Sequence, residues 1–442
     1  MTDARLDEAL ALTRAWCAIP SHAGDPAAQA RMVDLLLDWL VRALGATIVT
    51  RGTGPAPVIH ARIDRGARDS VILYNMYDVM PASREGWRVD PWEGGLSEMA
   101  GIGPVFVARG AENNKGPLAG MLVALRDLVA RDALGVNVEI LLDGEEEIGS
   151  PAMRTYLAAP DCPLPHCTGG LFPSLCEYGG GPPRLYLGFS GIAKGRISVA
   201  GGDWGGPATA IHSSNAPWIA NPARVLVDAL AGFGAPLTGA LGQIALDDEA
   251  RGLVARLARG FDPEAELRFR TTARYAVDGD AEALLTRVLS TASLTISSLA
   301  TAPQGDTGVI PPRAEALFDL RTPPGLSAET YLAALRDRLA ADPGLAGVTV
   351  EAGESAPGVR FGAASAGARA LTAAYGATSR APQVWPWAVG SAPGHAFARH
   401  ADSFLIGGAG RGGNAHGIDE FLVVEGFGRF IASVSAWLTE MA

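Results

Sequence analysis

The chain has 442 residues, 48% of them hydrophobic and 19% charged, which suits a well-buried globular protein too long for one compact core. Its net charge of −11, from 36 Lys+Arg against 47 Asp+Glu, excludes nucleic acid as a bulk partner, since phosphate binding needs a basic face. No run of about 18 apolar residues occurs, so no membrane span or membrane partner is expected. Charged residues interrupt the apolar pattern of "MTDARLDEALALTRAWCAIP", so it reads as an amphipathic helix and not a signal peptide, and the expected compartment is the cytoplasm.

Helices are predicted near 5–17 and 26–44, followed by strands near 46–50 and 57–63. The run Val71-Ile72-Leu73-Tyr74 predicts a buried strand over 71–75, then a turn at Asp78-Val79-Met80-Pro81 and a long loop to about 104. A helix near 116–131 leads into the strand Val136–Leu142. This alternation implies an α/β fold, a mostly parallel sheet sandwiched by helices. Past residue 190, "GIAKGRISVAGG", a helix near 221–233, a strand over 315–324, a helix near 327–341 and "GVTVEA" predict an inserted α+β lid. The region from about 355 returns to a long helix, a strand near 403–407 and a terminal helix from about 423. The expected division is therefore 1–190 and 355–442 for one discontinuous catalytic domain, with 191–354 as a lid and dimerisation domain. The segment around 265–310 reads as irregular and carries no substrate code.

Cys162, Cys167 and Cys176 cluster near His166, while Cys17 stands apart. A structural zinc is one reading, but the spacing lacks tight ligand pairs, and free or buried thiols are expected.

Four polar segments fall at the ends of apolar runs: Tyr77-Asp78-Val79, "RGAENNKG" (109–116), "LLDGEEEIGS" (141–150) and "GGNAHGIDEF" (412–421). Three consecutive glutamates are commonly a solvated helix start, where the dipole favours acids. Directly after Ile140-Leu141-Leu142 they are equally a metal site with a general base at a strand edge, the place where α/β proteins put ligands.

These segments resemble the M20 metallopeptidases, the aminoacylase, carboxypeptidase and dipeptidase-type amidohydrolases. "MYDVMPA", "ARGAENNKGP", "DGEEEIGSP", "IHSSNAPWIANPA", "VGSAPGHAF" and "NAHGIDEF" follow the family's motifs in order over essentially the whole chain. The resemblance implies a hydrolase of amide or peptide bonds in an amino-acid-like or peptide-like substrate, a di-zinc peptidase-like catalytic domain and a homodimer. It makes Glu146 the general base and Asp78 an orienting carboxylate. It gives Glu147 and His416 to one metal and Glu177 to the other. His212, by itself an ordinary surface or core histidine, would reach across a dimer to stabilise the oxyanion. Arg321, Gly390 and Ser391 would contact substrate.

Two positions depart from the pattern. Met76 stands where the resemblance implies a histidine ligand, and Asn113 where it implies a bridging aspartate. An amide offers one neutral oxygen and an NH₂ that repels a second cation, and a thioether is a soft donor suited to Cu(I). Met76 and Asn113 then become pocket positions facing substrate. The expectation is no cofactor or a single zinc in preference to a di-zinc centre, with His395 as a substitute ligand the less favoured alternative. Without cations, Asp78, Glu146, Glu147 and Glu177 would need shared protons, Lys115, or a cationic substrate group. Two other readings keep the scaffold: a non-hydrolytic enzyme for amide transfer or isomerisation through a metal-free glutamate pair, and a non-catalytic homologue.

Overall fold

The computed structural model describes residues 4–54, 56–233, 242–302 and 307–442. The chain opens with α1 (Ala4–Cys17) and α2 (Pro26–Arg42); Asp25 starts the second by accepting from the Ala28 N–H, with Pro26 at the first helical position. Strands β1 (Thr47–Arg51), β2 (Ile59–Ile63) and β3 (Ser70–Met76) follow. The stretch expected as a long loop folds part of itself into a hairpin, β4 (Gly95–Met99) with β5 (Gly103–Val107). Then come α3 (Lys115–Ala130), β6 (Asn137–Asp143), α4 (Pro151–Ala158), β7 (Gly169–Pro173), β8 (Arg184–Tyr186) and β9 (Gly188–Phe189).

The inserted segment contributes β10 (Gly191–Ala200), β11 (Ile211–His212), α5 (Pro222–Phe233), α6 (Asp248–Ala258), α7 (Pro263–Phe269) and α8 (Ala281–Ser290). It continues through β12 (Ser293–Ala302), β13 (Val309–Ile310), β14 (Arg313–Thr322), α9 (Ala328–Ala340) and β15 (Val348–Ala356). The chain ends with β16 (Val359–Arg360), α10 (Ala366–Thr378), β17 (Gln383–Trp385), α11 (Gly394–Phe397), β18 (Phe404–Gly407), β19 (Gly412–Gly413), β20 (Phe421–Val423) and α12 (Val424–Glu440).

The fold is α/β. Its large sheet has the order β1-β2-β6-β3-β7-β18-β8-β17, with β6, β3, β7 and β18 mutually parallel at the centre. Parallel central strands are covered on both faces, and the two-residue side-chain period of β3 shows how. Val71 and Leu73 enter one core with α1, α2, α3, α10 and α12, while Ile72, Tyr74 and Met76 enter the other with Phe172, Phe397 and Phe404. The C-terminal region completes the large sheet through β17 and β18.

The second sheet, β12-β14-β10-β15, is antiparallel and packs α5 and α9 on one face around Ile197, Phe318 and Leu335. The segment read as irregular holds α8 and β12, and its residues 303–306 lie outside the described residues. Among the described residues, helices α6 and α8 of the insert join a different core from this sheet. Ala250, Val254, Leu257, Leu285 and Leu289 join Tyr186, Trp385 and Trp387 of the larger domain in a core of their own. Among the described residues, no helix is long and apolar enough to cross a membrane.

Candidate active site

The site forms where β3 and β6 end side by side, Met76 level with Asp143. Beyond them the chain turns tightly: the Tyr77 N–H donates to the Asp143 carbonyl at 2.8 Å, and Tyr77 itself lies against Gly144. A Cβ at residue 144 would come within 2.3 Å of the Tyr77 side chain, so only glycine fits there. Asp143 accepts from the Glu145 N–H at 3.0 Å and from the Tyr74 hydroxyl at 3.1 Å. Asp78, 1% exposed, accepts from the N–H groups of Glu146 at 3.2 Å and Glu147 at 3.0 Å. The acidic turn is thus folded around two buried carboxylates, which aim the side chains that follow.

A second buried carboxylate system sets the opposite wall. Glu420 accepts from the N–H groups of Glu112 at 2.9 Å and Asn113 at 2.8 Å and pairs with Arg109 at 2.5 Å. The same guanidinium donates to the carbonyls of His416 at 3.0 Å and Gly417 at 3.2 Å. His416 has φ +63°, a left-handed conformation that costs a non-glycine residue roughly 1–2 kcal/mol, and Arg109 holds the loop in it. Neither Arg109 nor Glu420 was among the sequence candidates, although both lie inside the motifs that carry the resemblance.

The two walls meet at Glu147. Its Oε1 lies 3.0 Å from His416 Nε2 and 3.0 Å from the Asn113 amide nitrogen. The hydrogen bond that His416 donates to Glu147 raises its pKa, while burial opposes it. Glu146 is pushed well above the usual carboxylate range by burial, then by Glu147, Asp78 and Asp143. Burial and then Asp143 push Asp78 the same way, and Glu112 rises to about 8 through burial and Glu420. Lys115 makes no direct ion pair with these acids among the described residues. Its Nζ donates to the carbonyls of Trp16 at 2.9 Å and Ile19 at 2.5 Å, and burial lowers it to about 8.

Asn113, Glu146, Glu147 and His416 line one large cavity, together with Arg321, Gly390 and Ser391 from the lid side and the loop before α11. Arg321 is held by Asp319 at 2.9 Å. Three expected positions lie elsewhere. Met76 is fully buried in the core of the second face with Tyr74 and Phe172, and it is off the cavity wall. Glu177 is turned toward the terminal helix, where Arg429 donates at 2.7 Å and the Ser379 hydroxyl at 2.6 Å. The residue that follows β7 onto the cavity wall is Ser174, a neutral side chain with no sequence signal, whose hydroxyl donates to Asn114 at 3.2 Å. His212 is exposed on the lid, its Nδ1 bonded to Ser214, and does not line its own chain's cavity. His395 is off the wall as well; burial and then Arg154 lower it to about 4. The cysteines are free thiols, and His166 instead meets Asp402 at 2.9 Å.

Residues 72–440 match the family model of Peptidase family M20/M25/M40. The chain belongs to this family. It is an enzyme of the peptidase and amidohydrolase type. No curated protein matches it. Among solved structures it is similar to an M20 family metallo-carboxypeptidase, Sso-CP2 from Sulfolobus solfataricus, with a TM-score of 0.83 and 22% identity over 100% of this chain and 99% of that one. It is similar to human carnosine dipeptidase 1, with a TM-score of 0.78 and 20% identity over 99% and 97% of the two chains. It also resembles the dipeptidase Dug1p from Saccharomyces cerevisiae, with a TM-score of 0.75 and 19% identity over 99% and 97%. At these identities the likeness shows the fold.

The family implies zinc, and the donor set of this M20 chain does not fit a metal pair. Catalytic zinc takes three protein ligands, and paired ions need carboxylate or imidazole donors on both sides. Here Met76, Asn113 and Ser174 are neutral, and Glu177 is engaged by Arg429. Glu147 and His416 are left with the amide of Asn113. Among the described residues no three His, Cys, Asp or Glu side chains converge as a metal-holding group.

Proposed function

We propose that this M20 chain hydrolyses an amide or peptide bond of an amino-acid-like substrate at a centre without paired zinc, with Glu146 as general base. The observation that supports this reading is the Glu146 carboxyl on the cavity wall, beside the Glu147–His416 pair and without a side-chain hydrogen bond among the described residues. As the water oxygen adds to the carbonyl carbon, Glu146 takes the water's proton and then passes it to the departing amine nitrogen. His416 is held by Glu147, which favours its charged form, and in that form it would place a positive charge beside the developing oxyanion. Arg321, Gly390 and Ser391 border the same space and would position the substrate. His212, exposed on the lid, would serve the site of a second copy, and size-exclusion chromatography giving only monomer would remove it from the site.

The raised carboxyl pKa values favour proton sharing between Glu146 and its neighbours, the arrangement by which acidic pairs run acid and base steps together. Elemental analysis, with hydrolysis of dipeptides and N-acyl amino acids assayed before and after chelation, tests the reading. The expected result is activity that survives chelation and falls on the order of 10²–10⁴-fold in Glu146→Gln. A pair of tightly bound zinc ions per chain, whose removal abolishes activity, would overturn it.

A further inference from the structure

We propose that the far end of the cavity is a subsite for a bulky apolar group, aromatic or long aliphatic, carried by the substrate beside its amide. This rests on the hydrolase reading and extends it to substrate class. The cavity measures about 890 Å³, near the upper end for drug-sized ligands and far more than a small dipeptide requires. It runs without interruption from Glu146, Glu147 and His416 to a wall built by Tyr186, Trp385, Phe261, Leu285 and Leu289.

Two of the cations at that end, Arg184 and Arg270, are already paired. Arg184 is paired with Glu266 at 2.8 Å, the two side chains being 11% and 8% exposed. The guanidinium carbon also lies 5.1 Å from the Tyr178 ring and 4.9 Å from the Trp385 ring, so aromatic faces cover it. Arg270 is likewise held by Glu266 at 2.7 Å, and Arg287 is the further cation on the wall, whose larger part is aromatic and aliphatic and suits an apolar group.

The walls are also fixed. Arg184 fastens α7 to the larger domain through Glu266, and Phe269 of α7 meets the Tyr178 ring edge-on at a centroid distance of 5.8 Å. The packing of α6 and α8 against Tyr186 and Trp385 holds the space open against collapse. The subsite is thereby pre-organised, and a ligand entering it loses little to ordering.

Each buried methylene is worth a factor of about four. Two substrate ladders test the proposal: N-acyl-alanines from acetyl to octanoyl, and the dipeptides Gly-Ala, Phe-Ala, Gly-Phe and Trp-Ala. For wild type, kcat/KM should climb on the order of 100-fold along at least one ladder, the gain from burying about three to four methylenes. Ala388→Phe and Val288→Trp, both on the cavity wall, should each flatten that climb below about tenfold while the chain still melts cooperatively. A level wild-type ladder, or an unchanged climb in both folded variants, overturns the subsite and leaves the hydrolase reading standing. If no member of either ladder is turned over, the hydrolase reading falls. Calorimetric titration with N-octanoylalanine then decides the subsite alone: binding that both variants weaken supports it, and no binding overturns it.

Discussion

Replacing Arg109 with methionine should unseat both walls of the site while keeping the apolar length of the side chain. Arg109 is 3% exposed and Glu420 fully buried, so the pair is shielded from solvent. Removing one partner of a buried pair typically costs about 3–5 kcal/mol, because the other charge is left uncompensated. Glu420 keeps two backbone donors, from Glu112 and Asn113, which places the expected loss near the lower end, about 3 kcal/mol. Burial already raises the Glu420 pKa against the opposing pull of Arg109, and the substitution would raise it further. A carboxyl with a raised folded pKa costs stability above that pKa, so the deficit of the variant should be larger at pH 8 than at pH 5. The carbonyls of His416 and Gly417 also lose their donor, and a shift of about 1 Å in the His416 loop would lower kcat/KM on the order of 100-fold. Urea unfolding of Arg109→Met, Glu420→Gln and the double variant measures the coupling. The double variant should be less destabilised than the sum of the singles. Additive singles, or an Arg109→Met midpoint within about 1 kcal/mol of wild type, would refute a clamp between the two loops.

The Glu177–Arg429 contact should show as a pH-dependent stability term. Burial raises the Glu177 pKa, but Arg429 and Ser379 outweigh it and hold the group below the usual range. Its contribution, about 2 kcal/mol for hydrogen bonds to a charged group, is therefore present above the unfolded pKa of about 4.3 and lost as pH falls through the lower folded value. Glu177→Gln should be less stable than wild type at pH 7 and match it near pH 3; a gap that stays constant with pH would show that the carboxylate charge is not what matters. Asn113→Asp and Ser174→Asp together should add zinc binding, read as metal per chain after dialysis, because both positions line the cavity with Glu147 and His416. No more zinc than wild type holds would mean that these positions do not converge on one centre.

The strands and helices that carry the site were legible because each is a continuous apolar run ending in a turn. Val71–Tyr74 leading to Asp78, and Ile140–Leu142 leading to the glutamates, needed no tertiary knowledge. The insert was equally open to reading: Asp247, Asp262 and Asp280 cap α6, α7 and α8, each accepting from the N–H three residues on. The expectation of irregular chain there passed over that signal. Met76 shares the second face of β3 with Ile72 and Tyr74, and period-two counting alone places it in the core. Glu177 and Ser174 could not be separated in this way. Which of them reaches the cavity depends on Arg429, 252 positions further along the chain, drawing the glutamate to the terminal helix. The Arg109–Glu420 clamp spans 311 positions and is invisible to local pattern for the same reason.

The retained acids do not all bear on catalysis. From sequence, Asp78, Glu146 and Glu147 look like costly charges that an inactive chain would have no reason to bury. In the folded turn, Asp78 and Asp143 earn their burial by accepting backbone N–H groups and the Tyr74 hydroxyl, which any stable version of this turn would need whether or not it acts on a substrate. Glu147 holds His416 and Asn113. Glu146 has no such duty. Its carboxyl lines the cavity without a side-chain hydrogen bond among the described residues, close to carboxylates that push its pKa upward. A half-buried acid on the cavity wall with no side-chain hydrogen bond among the described residues is free to meet substrate or water, so the case for chemistry at this centre rests on Glu146 more than on the cluster around it.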